Sequence, residues 1–347
     1  MTEGLFASGE PRKITFWAFT AFLLAGLAVA AVAMAYLMRQ APGSPKDPPI
    51  TLIIAPGAAP ADIAAQLEKS ALIADRRGFL LLARYRGQDI KLKAGEYQIA
   101  RGLPLKEVLG ILVAGKTVLH RFTVIPGQTA AQVAAALKSE GVDPRNEAAA
   151  LMNDAAFAAS LGVPAKRLEG YLYPETYAYE RGEDARALLA RMVAQFDKIW
   201  KSKLADTAAK QGQSRERIVT LASIIEKESG YSPERPLIAR VFFNRLAEKM
   251  PLQADPTVIY GLGDKYKGDL TREHLATDTP FNTYTRPGLP PGPICNPSLD
   301  ALEAALSPAE GSWLYFVAND EGRHAFSTTY GEHQLKVNRY QRQGAGE

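Results

Sequence analysis

The chain has 347 residues, 47% hydrophobic and 22% charged, with 41 basic against 37 acidic side chains for a net charge of +4. That length exceeds one ordinary domain, so two folded units with accessory segments are expected. The absence of a basic run argues against nucleic-acid binding. Cys295 is the only cysteine, and His120, His274, His324 and His333 lack metal-ligand spacing, so no disulfide, metal or cofactor is expected.

In chain order, Ile14 to Met38 is an uncharged run long enough to cross a bilayer core with some tilt, with Phe16, Trp17 and Phe19 at one end and Tyr36 at the other as interfacial aromatics. Ala33-Met34-Ala35 resembles a signal cleavage site, but the run is far longer than a signal h-region, which favours an uncleaved anchor. Arg12 and Lys13 before the span balance Arg39 and Lys46 after it, so the charges do not orient it. Residues 39–50 follow as a Pro-rich spacer. Thr51 to Ile54 predicts a strand, Pro56-Gly57 a turn, and Pro60 to Leu72 and Arg76 to Tyr85 two helices. Gly95 to Ile99 predicts a second strand and Leu105 to Ala114 a helix.

The stretch from Ile54 to Leu67 aligns without gaps with Val124 to Leu137, sharing Pro-Gly, three alanines and the final leucine. A duplicated strand–turn–helix unit is expected, with Pro56 equivalent to Pro126. Neither copy has the glycine spacing or lysine of a phosphate loop. The pair suits polymer binding of lysin-motif type, although alanine-rich helices also align easily.

Beyond Leu168 the composition becomes aromatic. Arg186 to Leu204 reads as a long amphipathic helix. Ile218 to Ile225 is almost wholly apolar, with Ser214 as N-cap and Glu216 in the first turn, and Thr220, Ser223 and Lys227 falling on the remaining arc. This buried helix ends on two carboxylates. Glu226 projects inside the apolar arc, between Val219 and Ala222, and Glu228 lies about 160° round from it. A carboxyl desolvated there suits a general acid, and the alternative is an ion-paired or solvated helix end.

Another helix is expected over Leu237 to Leu246, where Asn244 and Arg245 offer fixed donors. Three segments read as cleft walls: Leu252 to Tyr260, in which Asp255 precedes Pro256 and is held out of helical geometry, then Phe281 to Tyr284, and the Pro/Gly loop Gly288 to Pro297. Amides and acids among tyrosines suit a carbohydrate, whose faces stack on rings and whose hydroxyls bond amides.

Gly170-Tyr-Leu-Tyr-Pro-Glu-Thr-Tyr177, Ala222-Ser-Ile-Ile-Glu-Lys-Glu228, Val241-Phe-Phe-Asn-Arg-Leu246, Leu252-Gln-Ala-Asp-Pro-Thr-Val-Ile-Tyr260, Asn282-Thr-Tyr284, Gly288-Leu-Pro-Pro-Gly-Pro-Ile294 and Leu314-Tyr-Phe-Val-Ala318 occur in this order. Together they resemble the YceG-like endolytic murein transglycosylases. The departures, at Tyr173, Glu175, Ala254 and Ser298, remove no carboxylate that the chemistry needs.

The resemblance implies an α+β protein: a cytoplasmic tail at 1–13, a transmembrane helix at 14–38, the linker at 39–50, a lysin-motif-like module at 51–118, a mixed α/β catalytic domain at 119–340 whose start (119–165) copies the small unit, and a tail at 341–347. It implies a single-pass inner-membrane protein with its catalytic part in the periplasm. Its substrate would be peptidoglycan glycan strands, nascent ones included, and its partners peptidoglycan synthases.

The implied reaction is lysis of the bond between N-acetylmuramic acid and N-acetylglucosamine, giving a 1,6-anhydro end that terminates strand elongation. It assigns catalysis to Glu226. Gln253, Asp255, Tyr260, Asn282, Tyr284 and Glu228 are expected to position substrate, with Glu228 turned away from the cleft. The alternatives are a muramidase-type hydrolase using Glu226 and Asp255, and a non-catalytic glycan-binding scaffold.

Overall fold

The computed structural model describes residues 11–37, 41–143 and 145–342, with the side chains at 11–16, 30, 33, 36, 37, 341 and 342 outside that description. Most of the two expected tails therefore lies outside the described residues. The chain folds as α+β in two compact units, residues 1–120 with 180–182, and residues 121–179 with 183–347.

The first unit opens with helix α1 (Pro11–Leu37). Its described side chains are exposed except Thr20, with Phe22 82% and Val29 69% exposed. Among the described residues no helix is long and apolar enough to cross a membrane.

Strand β1 (Ile50–Ile54) leads through a turn at Gly57 into α2 (Pro60–Lys69), then α3 (Arg76–Tyr85), β2 (Gly95–Ile99) and α4 (Leu105–Ala114). Alternation along β1 buries Leu52 and Ile54, and these pack on Ile63, Leu67, Phe79 and Leu109 to form the unit's core. β1 and β2 pair antiparallel, Leu52 opposite Tyr97. Helix α2 stops three residues short of the expected end because Ala71 takes a positive φ of 53°, which a helix cannot contain.

β3 (Leu119–Thr123) and α5 (Ala130–Ser139) repeat the local order of strand, turn and helix. The turn glycines Gly57 and Gly127 share a left-handed backbone, with φ of 77° and 81°. The N-caps differ. Thr129 forms a capping box with Gln132, whereas Ala59 offers no side-chain cap and Pro60 starts the helix instead.

The second unit continues through α6 (Ala148–Met152), α7 (Ala155–Ser160), β4 (Thr176–Glu180), α8 (Ala185–Ile199), α9 (Ala205–Lys210), α10 (Arg215–Glu228), α11 (Arg235–Ala247), α12 (Asp255–Leu262), α13 (Arg272–Ala276), α14 (Leu299–Leu306), β5 (Tyr315–Ala318), β6 (His324–Ser327) and α15 (Tyr330–Val337). Its sheets are two-stranded ribbons, β3 with β4 and β5 with β6, so helices rather than a layered sheet carry the core. The single long helix expected over Arg186 to Leu204 is α8 followed by one wide turn, Trp200–Leu204.

The organising element is α10. Ser214 caps it by accepting from the Arg217 amide, and every residue from Ile218 to Ile225 is buried. That includes Thr220 and Ser223, so no polar arc of this stretch meets solvent. The Pro/Gly loop covers it. Ser223 Oγ accepts from the Ile294 amide at 3.0 Å and donates to the Thr220 carbonyl at 2.7 Å. Asn296, fully buried, accepts from the Leu172 amide and donates to the Gln128 carbonyl. The loop expected as a cleft wall thus clasps three segments across α10 at its 294–296 end. Gly170 is required at the same clasp, since a Cβ there would meet Pro293 at 2.6 Å and Val219 at 2.9 Å.

Candidate active site

Glu226 and Glu228 leave the last turn of α10 in different directions, as their angular separation demands. Glu226, its side chain 5% exposed, is an ion-paired strut. Its Oε1 accepts from Arg235 Nη2 at 2.8 Å, and its Oε2 accepts from the Ser298 amide at 2.9 Å and the Ser298 hydroxyl. Arg235 opens α11, and Ser298 is the N-cap of α14. One carboxylate therefore ties three helices together, with both of its oxygens engaged. Glu226 does not line the cavity formed by Gln253, Asp255 and Tyr284, the residues expected to share its cleft. Burial on the apolar arc was read correctly, but what buries the carboxyl is a guanidinium and a helix cap.

Glu228 is on the opposite side. It lines a cavity of about 380 Å³ with Arg245, Gln253, Asp255, Tyr284 and His324. No hydrogen bond to its carboxyl is found among the described residues. Its pKa is raised to about 8, first by desolvation and then by the charge of Asp255, with Arg245 opposing. The last turn of a helix, where the backbone dipole is negative, favours the neutral acid as well. The expectation that Glu228 turns away from the cleft is reversed.

Helix α12 begins at Asp255, with Pro256 in its first turn, so the extended residue is Ala254 rather than Asp255. Tyr284 donates its hydroxyl to Asp255 Oδ1 at 2.5 Å, and burial and Asp255 raise the phenol's pKa. Gln253 has a φ of 53°, an uncommon conformation for a non-glycine residue, and lies beside the cavity. Its side-chain oxygen accepts from Arg245 Nη1 at 3.2 Å.

Arg245 is buried. It also donates to the Leu314 and Leu252 carbonyls and lies 5.2 Å from the Tyr315 ring centroid. Asn244 donates to the Trp313 carbonyl at 2.9 Å. The Asn244-Arg245 pair thus spends its donors chiefly on holding the chain around the cavity.

Two expected site residues are elsewhere. Asn282 is fully buried and binds its own loop, donating to the Leu275 and Thr277 carbonyls and accepting from the Tyr284 amide. It shapes the turn that presents Tyr284. Tyr260, one and a half helical turns beyond Asp255, lines a different cavity and donates to Glu169 Oε2 at 3.0 Å.

Sequence reasoning missed His324, His333 and Glu234. His324 Nδ1 bonds Glu234 Oε2 at 2.7 Å, and the His324 amide donates to Glu234 Oε1, which fixes β6 at the cavity. Burial and the neighbouring Arg245 and Lys336 lower the pKa of His333. The sequence signal was faint: single histidines on a short strand and a short helix, distant from α10.

The assembled site offers a neutral carboxylic acid without a competing bond, an ionisable carboxyl steadied by a tyrosine, and a buried guanidinium. It can deliver a proton to a ligand in the cavity and take one back.

Residues 52–339 match the model of the YceG-like family. The chain is 33% identical over 310 residues to an endolytic murein transglycosylase of Bacillus subtilis, covering 84% of each protein. It is 30% identical over 319 residues to an endolytic murein transglycosylase of Streptococcus pneumoniae, covering 83% of this chain and 58% of that one. The crystal structure of a yceG-like protein from Listeria monocytogenes is similar with a TM-score of 0.58 and 35% identity, over 82% of this chain and 98% of that one.

Proposed function

As this chain belongs to the YceG-like family, we propose that it is an endolytic murein transglycosylase in which Glu228, and not Glu226, is the acid and base. The observation that carries this reading is the placement of Glu228 in the cavity, raised to about 8 and without a hydrogen-bond partner among the described residues.

The reaction follows from a carboxyl in that state. As a neutral acid, Glu228 protonates the glycosidic oxygen between N-acetylmuramic acid and N-acetylglucosamine, and the C–O bond breaks. The resulting carboxylate removes the proton from the muramyl 6-hydroxyl, whose oxygen closes on the anomeric carbon. A 1,6-anhydro ring forms, the proton count balances, and no water is consumed. Asp255, held by Tyr284, lies in the same cavity and offsets positive charge developing on the sugar. An isosteric amide at position 228 could perform neither proton transfer.

Anchoring completes the proposal. Helix α1 exposes Trp17, Phe19, Phe22, Leu24 and Val29, a surface that water disfavours and lipid accepts. A single-pass inner-membrane anchor with the N-terminus in the cytoplasm would hold the catalytic unit in the periplasm, beside nascent strands and the synthases that make them. Cleavage there would end strand elongation.

Mass spectrometry of purified glycan strands incubated with the chain tests the chemistry. Anhydro-muramyl ends are expected. Reducing ends would instead indicate hydrolysis with Asp255 as the second carboxylate, and intact strands a glycan-binding scaffold. Membrane extraction followed by N-terminal sequencing tests the anchor, with the residues from 14 onward retained.

A further inference from the structure

The second unit holds another cavity, of about 820 Å³, that shares no lining residue with the one around Glu228. Its lining includes the small apolar side chains of Ala155, Ala159, Val163, Pro291 and Pro293. Tyr260 and Phe281 line it with rings 4.8 Å apart, edge to face. The carboxyl of Glu169 is occupied, accepting from the Ala130 amide at 2.9 Å and from Tyr260. The remaining charged side chains are exposed: Lys166 as a cation, Glu216 as an anion, and Arg167, a cation that also bonds the Tyr260 hydroxyl beside Glu169.

We propose that this cavity binds the peptide stem carried by the muramyl residue at the Glu228 site, a short zwitterionic peptide of small apolar residues with a free amine and a terminal carboxylate. The proposal rests on the transglycosylase reading and adds the part of the substrate that the catalytic cavity leaves unbound.

Charge complementarity favours a zwitterion. The two exposed cations meet a carboxylate, and Glu216 meets an amine. The alanine and proline walls suit methyl-sized side chains, and their scarcity of side-chain donors suits a polyhydroxylated sugar poorly.

Distance agrees as well. Glu216 and Glu228 stand in the first and last turns of α10, which puts them about 18 Å apart along its axis. A peptide of about five residues, extended, spans about 17 Å. The two cavities also share supports. α12 carries both Asp255 and Tyr260, and the segment after α13 carries both Phe281 and Tyr284. An extended stem of that length, carried by a strand seated at Glu228, matches the separation of Glu216 and Glu228 along α10.

The test compares cleavage of stem-bearing glycan strands with the same strands stripped of peptide by an amidase. The full chain is expected to prefer stem-bearing strands by at least about tenfold in kcat/KM. Lys166→Glu/Arg167→Glu, which reverses the exposed cationic charge, and Ala159→Trp, which fills the mouth from an exposed helix face, should each bring that ratio close to one. Calorimetry of a synthetic stem peptide against the Glu228→Gln chain should show binding that both changes weaken by about tenfold or more.

Equal cleavage of both strand types by the unaltered chain would overturn the inference and leave the transglycosylase reading standing. So would a preference that survives both changes. Loss of binding to stripped strands in the filled variant would make the cavity a sugar subsite and overturn it too. Failure to cleave either strand type would remove both readings.

Discussion

Glu226 and Glu228 are separated by one lysine, yet they meet opposite surroundings. Glu226 is met by Arg235 and Ser298, so its charge is compensated and its geometry fixed. Glu228 is met by Asp255 and an open cavity, so its charge is opposed and its proton retained. The helix supplies the same backbone to both. What separates a strut from an acid here is what the rest of the unit brings to each face, and the following changes sharpen or break that contrast.

The largest effect expected is on activity. Glu228→Gln should lower cleavage by about 10⁴ or more, because one residue supplies both the acid and the base step. Glu226→Gln should keep most of the rate per folded molecule. Counting anhydro ends in single-turnover reactions checks both.

Next in size is a loss of stability. Glu226→Ala leaves the Arg235 guanidinium buried without its carboxylate and should cost about 3–5 kcal/mol. Urea denaturation of the two variants would show it, with Glu226→Gln the milder because an amide still accepts from Ser298.

A gain of stability is expected on the other face. The folded pKa of Glu228, about 8, lies above the ordinary value of 4.5. Its stabilising contribution is therefore complete below about pH 4.5 and is lost as pH rises through 8. Glu228→Gln removes that loss and should stabilise the chain by about 1–3 kcal/mol above pH 8, less than full linkage because the cavity admits water. Below pH 4.5 the variant and the parent should melt alike, as calorimetry can establish.

The smallest change expected is Tyr284→Phe. It deletes the hydroxyl that steadies Asp255 and should slow cleavage by roughly fivefold, about 1 kcal/mol, without altering the product. A rate unchanged within error would remove Asp255 from the positioning role.

The fold was legible where it depended on neighbours in sequence. The strand at Gly95–Ile99, the helices at Arg76–Tyr85 and Leu105–Ala114, the Ser214 cap and the recurring Pro-Gly turn all follow from local pattern and occur as expected. The site was legible as a set of segments but not as a geometry. Angular position on α10 gave the burial of Glu226 correctly. It could not reveal that Arg235 and, far along the chain, Ser298 would supply its partners.

Asn282 carries the same amide whether it binds a sugar or its own loop, and only the carbonyls of Leu275 and Thr277 decide the matter. Tyr260 was assigned to the cleft with Asp255, but five residues of helix carry it round to another cavity. His324 could not be singled out, because its importance rests on Glu234 and on a ribbon that folds back to α11.

The pH dependence of single-turnover cleavage, measured for the parent chain beside Glu226→Gln, tests the central claim most directly. If Glu228 must be protonated to act, kcat/KM should be level near neutrality and fall tenfold per unit above an apparent pKa of about 8 in both proteins. A falling limb near the ordinary carboxyl value of 4.5, or a limb near 8 that vanishes in Glu226→Gln, would contradict the assignment of the acid to Glu228.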